Sequence, residues 1–160
     1  MAVDKDTFRK TMGCFAAGVT VVTSIDAEGK AFGLTATAFS SVSADPPLAL
    51  VCIGKGSSTH DQFAAAGVFV VNFLSAEQAD VSQRFASTGI DKFEGLECTT
   101  GALGAPILGG TIGYAECKVV HAYEGGDHTI FVGRIESGSA NEAMPLTYFR
   151  GAYRSVSEPL

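Results

Sequence analysis

Two long β-forming arms, "TIGYAECKVVHAYE" (residues 111–124) and "HTIFVGRIESGSA" (residues 128–140), flank the turn Gly125-Gly126-Asp127. Alternating runs on either side of a glycine turn predict a hairpin. A ribbon of that length is not stable alone in water, so the rest of the chain must supply strands or helices that cover it. This requirement constrains the fold more than any other feature of the sequence.

Further strands are available. "VTVVTSIDAEGKAFGLTATAFSSVS" (residues 19–43) holds two β-rich runs about Glu28-Gly29 and predicts a second hairpin. Asp45-Pro46-Pro47 breaks the chain, after which "LALVCI" and "VFVVNFL" predict buried strands. Helical signals are fewer. Phe8, Met12 and Phe15 recur at helical spacing before Gly18; residues 59–66 end at Gly67; Ser75 and Gln78 suggest a capping box for a helix running to about Ser87. Residues 88–109 predict a loop, and "PLTYFRGAYRSV" a loop followed by a short strand. Six or seven strands with two or three inserted helices lack the βαβ rhythm of a parallel sheet. The predicted class is mainly β with α: an antiparallel barrel with flanking helices, one domain over residues 1–160.

Composition limits the partners. A formal charge of −6 and a pI near 4.9 exclude nucleic acid and anionic membrane as main partners. The longest apolar runs, Leu48–Ile53 and Val68–Leu74, are too short to span a bilayer. The charged "MAVDKDTFRK" carries no secretion-signal pattern, and Cys14, Cys52, Cys98 and Cys117 show no C-x-x-C spacing. The expectation is free, mostly buried thiols in a reducing cytoplasm.

The stretch "LVCIGKGSSTHDQF" (residues 50–63) concentrates the chemical signals. Glycines let backbone N–H groups converge, and hydroxyls at Ser57, Ser58 and Thr59 precede a helix start, as suits a phosphate. The triphosphate-loop pattern fails, because Lys55 is followed by Gly56. Ser58 with Asp61 could equally be a capping box. In "GLTATAFSSVS", Thr35, Thr37, Phe39, Ser41 and Ser43 would share one strand face, leaving a backbone accessible to a flat polar ligand; a solvated sheet face is the alternative. No hydrolase triad emerges: His60 and Asp61 would point apart, and His121 reads as a half-buried strand residue. The three histidines lack metal-ligand spacing, so no metal site is predicted. His128 opens a strand beside the turn, where it could meet a ligand or simply complete the turn. "TYFRGAYR" gathers Tyr148, Phe149, Arg150, Tyr153 and Arg154, suited to a nucleotide or to a barrel edge.

Together "GVTVVT", "GLTATAFSSVSADPPLALVC", "SSTHDQF", "VFVVNFLSAEQ", "RFA", "KFEG", "GGDHTIFVGRI" and "YFRGAYR" resemble the short-chain flavin reductase family, from about Phe8 to Tyr153. The resemblance implies a split β-barrel homodimer that binds FMN or FAD. It implies NADH or NADPH as hydride donor and a partner monooxygenase that receives reduced flavin. Carried over by position, Thr35, Ala36, Thr37, Ala38, Ser40 and Ser41 would line the flavin ring, and Ser58 and Thr59 would meet its phosphate. Asn72, Arg84 and Phe85 would be further flavin neighbours. Lys92 and Phe93 would lie near the flavin tail, His128 would face the nicotinamide, and Tyr153 would stand near the ring. A non-catalytic flavin carrier or sensor, or a reductase of another acceptor, are the alternatives. Hydride transfer needs no protein nucleophile, which accounts for the absent triad.

Overall fold

Residues 2–156 are described by the computed structural model. Along the chain run α1 (Lys5–Met12), β1 (Ala17–Gly18), β2 (Thr20–Ile25), β3 (Ala31–Ala36), β4 (Phe39–Ala44) and β5 (Pro47–Gly54). Then come α2 (His60–Ala66), β6 (Val68–Phe73), α3 (Ala79–Ala86), β7 (Cys98–Thr100) and β8 (Pro106–Leu108). The chain closes with β9 (Gly113–Gly125), β10 (His128–Ala140), β11 (Thr147–Phe149) and β12 (Ala152–Arg154).

The β9–β10 hairpin forms as its sequence requires, in register from His128 opposite Gly125 to Ala140 opposite Gly113. Gly126 sits in the turn at φ 74°, a left-handed conformation that costs glycine nothing. Around this ribbon the chain builds one seven-stranded antiparallel sheet in the order β3-β2-β6-β9-β10-β5-β4. Its two edges, β3 and β4, are consecutive in sequence and joined only by Thr37-Ala38. The sheet must therefore curl until its edges meet, yet no ladder closes them. The expected antiparallel, helix-flanked class holds, in the form of a curled sheet with a seam.

Curling gives the sheet two buried faces. Inside, Val22, Val51, Ile53, Phe69 and Phe131 pack with Phe63 of α2, whose ring meets Phe32 edge-on at 4.8 Å. Outside, Val21 packs with Val81 and Phe85 of α3 and with Leu74, Leu108 and Leu146. This explains why β2, "TVVTSI", is buried on both faces instead of alternating. Each fully buried side chain of this size contributes about 1.5–3 kcal/mol.

Several expectations are corrected. The stretch 33–43 is not one strand: it breaks at Thr37-Ala38, where the chain crosses the seam, so its residues do not share one continuous face. Asp45-Pro46, a cis peptide, turns a tight β4–β5 hairpin where an interruption was expected. The first helix ends at Met12 with a Gly13 cap, and Gly18 belongs to β1. The predicted loop 88–109 contains the β7–β8 ladder, and the tail forms a β11–β12 hairpin that joins β1. The capping box is half made: the Ser75 N–H donates to Gln78 Oε1 at 3.1 Å, but α3 starts only at Ala79. All four thiols are free, yet only Cys117 is buried; Cys14 and Cys98 are exposed. Among the described residues no helix is long and apolar enough to cross a membrane.

Candidate functional site

The seam is where this sheet leaves main chain unpaired. β3 bonds to β2 on one side only, and the Gly33 carbonyl on the other side accepts from Lys92 Nζ at 3.1 Å. Backbone groups alternate sides along a strand, so Thr35 also turns its N–H and C=O to the seam. Its hydroxyl is not available: Thr35 Oγ1 donates to the Ser82 carbonyl of α3 at 2.6 Å. What Thr35 offers a ligand is therefore backbone. Just beyond, the Ala38 carbonyl accepts from the Cys52 N–H at 2.9 Å, which fixes where the chain crosses to β5.

A cavity of about 420 Å³ opens on this edge. Residues 34–38 form one wall; Cys52, Gly54, Gly56, Ser57 and Ser58 form a second. The end of α3, from Phe85 to Thr88, and Lys92 and His128 complete it. A second cavity of about 400 Å³ adjoins it, lined by residues 30–33, Ser58, Thr59 and residues 88–93. Both volumes lie in the range of small-molecule sites.

His128 is held at the mouth by its turn. Its Nδ1 lies 2.7 Å from Asp127 Oδ1, and this hydrogen bond and the ring's charge lower the Asp127 carboxyl below its ordinary value. Lys55 clasps the same turn: its N–H donates to the Asp127 carbonyl at 2.9 Å, and Nζ donates to the Gly126 carbonyl at 2.9 Å and to the Glu124 carboxylate. The pairing with Lys55 lowers the Glu124 carboxyl in turn. Gly54 stands opposite His128 in the ladder, and a Cβ there would touch the ring at 3.5 Å. Lys92 is anchored from two sides, donating to Gly33 O and, at 2.9 Å, to Phe85 O.

The structure thus brings together Thr35, Ala36, Thr37, Ala38, Ser58, Phe85 and His128 around one cavity, with Thr59 and Phe93 in its neighbour. Other residues named from the sequence stand elsewhere. Ser40 and Ser41 lie on β4 beyond the crossing and line neither cavity. Asn72 is fully buried in β6; its Nδ2 donates to Val21 O and Thr23 Oγ1, and its Oδ1 accepts from the Leu108 N–H. Arg84 Nη1 donates to the Glu94 carbonyl at 2.6 Å, tying the following loop to α3. The Tyr153 hydroxyl donates to Ser82 Oγ at 2.8 Å, and its ring packs at 5.5 Å from Tyr148. The aromatic and basic tail acts as sheet edge here.

Two histidine readings also change. His60 and Asp61 do not point apart: Asp61 folds back along the first turn of α2, Oδ1 at 2.9 Å from His60 Nδ1. His121 is exposed and stacks on Tyr123 at 5.5 Å, because β9 is solvated from Lys118 outward. Nor do Ser58 and Asp61 form a capping box. Thr59 is the N-cap, without a side-chain cap bond, and its N–H donates to Ser57 Oγ at 3.3 Å. Cys52 and Thr88 were missed as wall residues; they carry no chemical pattern in sequence and reach the cavity only through the curl.

Comparison with known proteins places this geometry. The flavin reductase like domain family matches residues 12–157. A probable flavin reductase of Rhizobium meliloti is 42% identical over 150 residues, 94% of this chain and 48% of that protein. The chain thus spans about half the length of that relative. The reductase subunit HsaB of a flavin-dependent monooxygenase from Rhodococcus jostii is 38% identical over 97% of this chain and 80% of its own. Among solved structures, the NADH:FAD oxidoreductase SgcE6 of Streptomyces globisporus superposes with a TM-score of 0.92 at 35% identity, covering 100% of this chain and 99% of its own.

Proposed function

The chain belongs to the flavin reductase like domain family, and we propose that it is an NAD(P)H-dependent flavin reductase which passes reduced FMN or FAD to a partner monooxygenase. The observation that carries this reading is the edge of β3 along the seam cavity, which has no strand partner there, facing a mouth held by His128. A flat heteroaromatic ring fits such an edge, because carbonyls and N–H groups in one plane meet its donors and acceptors without side-chain rearrangement. A bound flavin would supply the ring that accepts the hydride leaving the nicotinamide.

The protein's own tasks are positional. Backbone groups of residues 35–38 orient the ring and set fixed dipoles against charge that accumulates when it is reduced. With Ser40 and Ser41 outside the cavity, this role falls to the segment before the crossing. Ser58 and Thr59 hold phosphate at the inner end. His128 seats the nicotinamide and moves no proton: its Nδ1 is engaged by Asp127, and Nε2 is turned toward Gly54 at the mouth. Bringing two rings to about 3–3.5 Å in parallel supplies several kcal/mol of the barrier.

Phe8 and Met12 on α1 and Phe15 beyond it leave apolar surface exposed, which suits a homodimer. Free thiols suit a reducing compartment such as the cytoplasm. The deciding experiment is anaerobic stopped-flow absorbance: flavin mixed with the protein bleaches on adding NADH or NADPH, faster than without protein. Bleaching at the uncatalysed rate would reassign the chain as a flavin carrier.

A further inference from the structure

Thr35 lines the seam cavity, yet its hydroxyl is committed away from it, to the Ser82 carbonyl of α3 at 2.6 Å. Ser82 is itself fully buried. A serine inside a helix is a poor core filler, because its hydroxyl competes with the helix backbone and costs free energy when buried without a partner. Here the partner is Tyr153, whose hydroxyl donates to Ser82 Oγ at 2.8 Å. Three elements distant in sequence, β12, α3 and β3, thus meet at one helical residue. Neither Ser82 nor Tyr153 lines either cavity.

Such a chain of bonds matters because β3 is an edge. It is bonded to β2 on one side only, so no second strand fixes its height against the cavity. The helix behind it does that work. α3 sits directly on β3: a Cβ at Gly33 would stand 2.9 Å from the Phe85 ring. Tyr153 packs on the same outer cluster as Val81 and Phe85, and it is held from the far side, opposite Tyr148 of β11, which pairs in turn with Ala17 of β1. Backbone dipoles stabilise charge that develops on a ligand only when they are already in place; a donor free to swing spends that gain on reorganisation. Resting on the flavin reading above, we propose that Ser82 and Tyr153 are positioning residues. The chain Tyr153–Ser82–Thr35 fixes the Thr35 backbone at the seam, so that the site holds reduced flavin more tightly than a free strand edge would.

Anaerobic titrations with oxidised and with reduced FMN and FAD, run beside thermal melts, test the chain. Tyr153→Phe keeps the ring and removes only the hydroxyl. It should weaken reduced flavin about fivefold, as losing one ordinary hydrogen bond would, and oxidised flavin by less than about twofold. Ser82→Ala, which removes the acceptor instead, should shift the ratio of the two affinities in the same direction. Thr35→Val should do so too, and added to Tyr153→Phe it should weaken reduced flavin little further, because both cut one network. Tyr148→Ala strips packing from the same hairpin without touching Ser82; it should lower Tm and leave the affinity ratio at the wild-type value. Equal weakening of both redox states by Tyr153→Phe, or no weakening of either, would overturn the proposal and leave the hydroxyl as a contact of the fold alone. Additive losses in the double variant would overturn it as well, as would Tyr148→Ala moving the ratio as far as Tyr153→Phe. Binding of neither flavin in either redox state by the wild type would instead sink the flavin reading on which the proposal stands.

Discussion

His60 and His128 are wired alike on one side and differently on the other. Each ring holds the neighbouring aspartate through Nδ1, at 2.9 Å to Asp61 and 2.7 Å to Asp127. With the carboxylate accepting from Nδ1–H, a neutral ring has a lone pair left at Nε2. For His60 that lone pair is used: Thr129 Oγ1 lies 2.8 Å away, and the ring packs 6.2 Å from Phe131. For His128 it faces Gly54 and the seam cavity. A histidine beside an aspartate is thus a structural tie in one corner and keeps Nε2 open to the cavity in the other. Asn72 and Lys92 repeat the contrast, one with its amide fully used in the core, the other with a proton to spare. What separates scaffold from site is whether a polar group's hydrogen bonds close within the protein.

The contrast can be broken by truncating the closed groups. Asn72→Ala should have the largest effect, because it leaves the buried Leu108 N–H without its acceptor and removes the amide that donates to Val21 O and Thr23 Oγ1. Stranding buried polar groups costs about 1–3 kcal/mol each. A loss of about 3 kcal/mol or more in urea unfolding is expected, with flavin affinity of the remaining folded protein unchanged. If stability held and flavin binding fell, Asn72 would belong to the site after all.

His60→Ala should come next, at about 2 kcal/mol, from the lost hydrogen bond to Thr129 and the lost packing on Phe131. Its KM for the nicotinamide should stay at the wild-type value. His128→Ala should reverse that pattern, with Tm lowered only slightly, through the lost bond to Asp127, and the KM for NADH or NADPH raised about fivefold, equivalent to roughly 1 kcal/mol. Steady-state kinetics beside thermal melts read both variants. An unchanged KM in His128→Ala, with only a pH-dependent step lost, would mean that the ring moves a proton and does not seat the nicotinamide.

Sequence and structure agree where local chemistry decides the outcome. The Gly125-Gly126-Asp127 hairpin, the Gly67 stop at φ 67°, and the alternating strands could all be read from residue type and spacing. The resemblance also grouped Thr35, Ser58 and His128, and all three line one cavity. The crossing at Thr37-Ala38 could not be read, because "GLTATAFSSVS" holds no glycine or proline at that point and only closure of the sheet decides where its edge turns away. Ser40 and Ser41 lie beyond that crossing, on β4. Asn72 was carried over from the resemblance as a flavin neighbour; the partners that engage its amide lie 36 and 51 residues away, beyond local reading. His60 looked idle for the same reason, since Thr129 is 69 residues distant.

The smallest expected effect tests what the aspartate does for the open histidine. Asp127 is exposed, and its carboxyl lies below the ordinary value of 3.8 chiefly through the hydrogen bond to His128. A depressed carboxyl contributes stability at pH above its unfolded value, and that contribution is lost as pH falls through the folded value. Asp127→Asn keeps an oxygen to accept from Nδ1–H but removes the charge. Melting curves of wild type and Asp127→Asn should therefore differ slightly at about pH 6 and converge as pH drops below about 3.8, where the wild-type carboxyl gains its proton. The KM for the nicotinamide should rise less than in His128→Ala, because the ring is still held, though by a weaker bond. A difference in Tm that persists unchanged through acid would mean that the carboxylate does not act through its charge, and the likeness between the two Asp–His corners would then be one of shape alone.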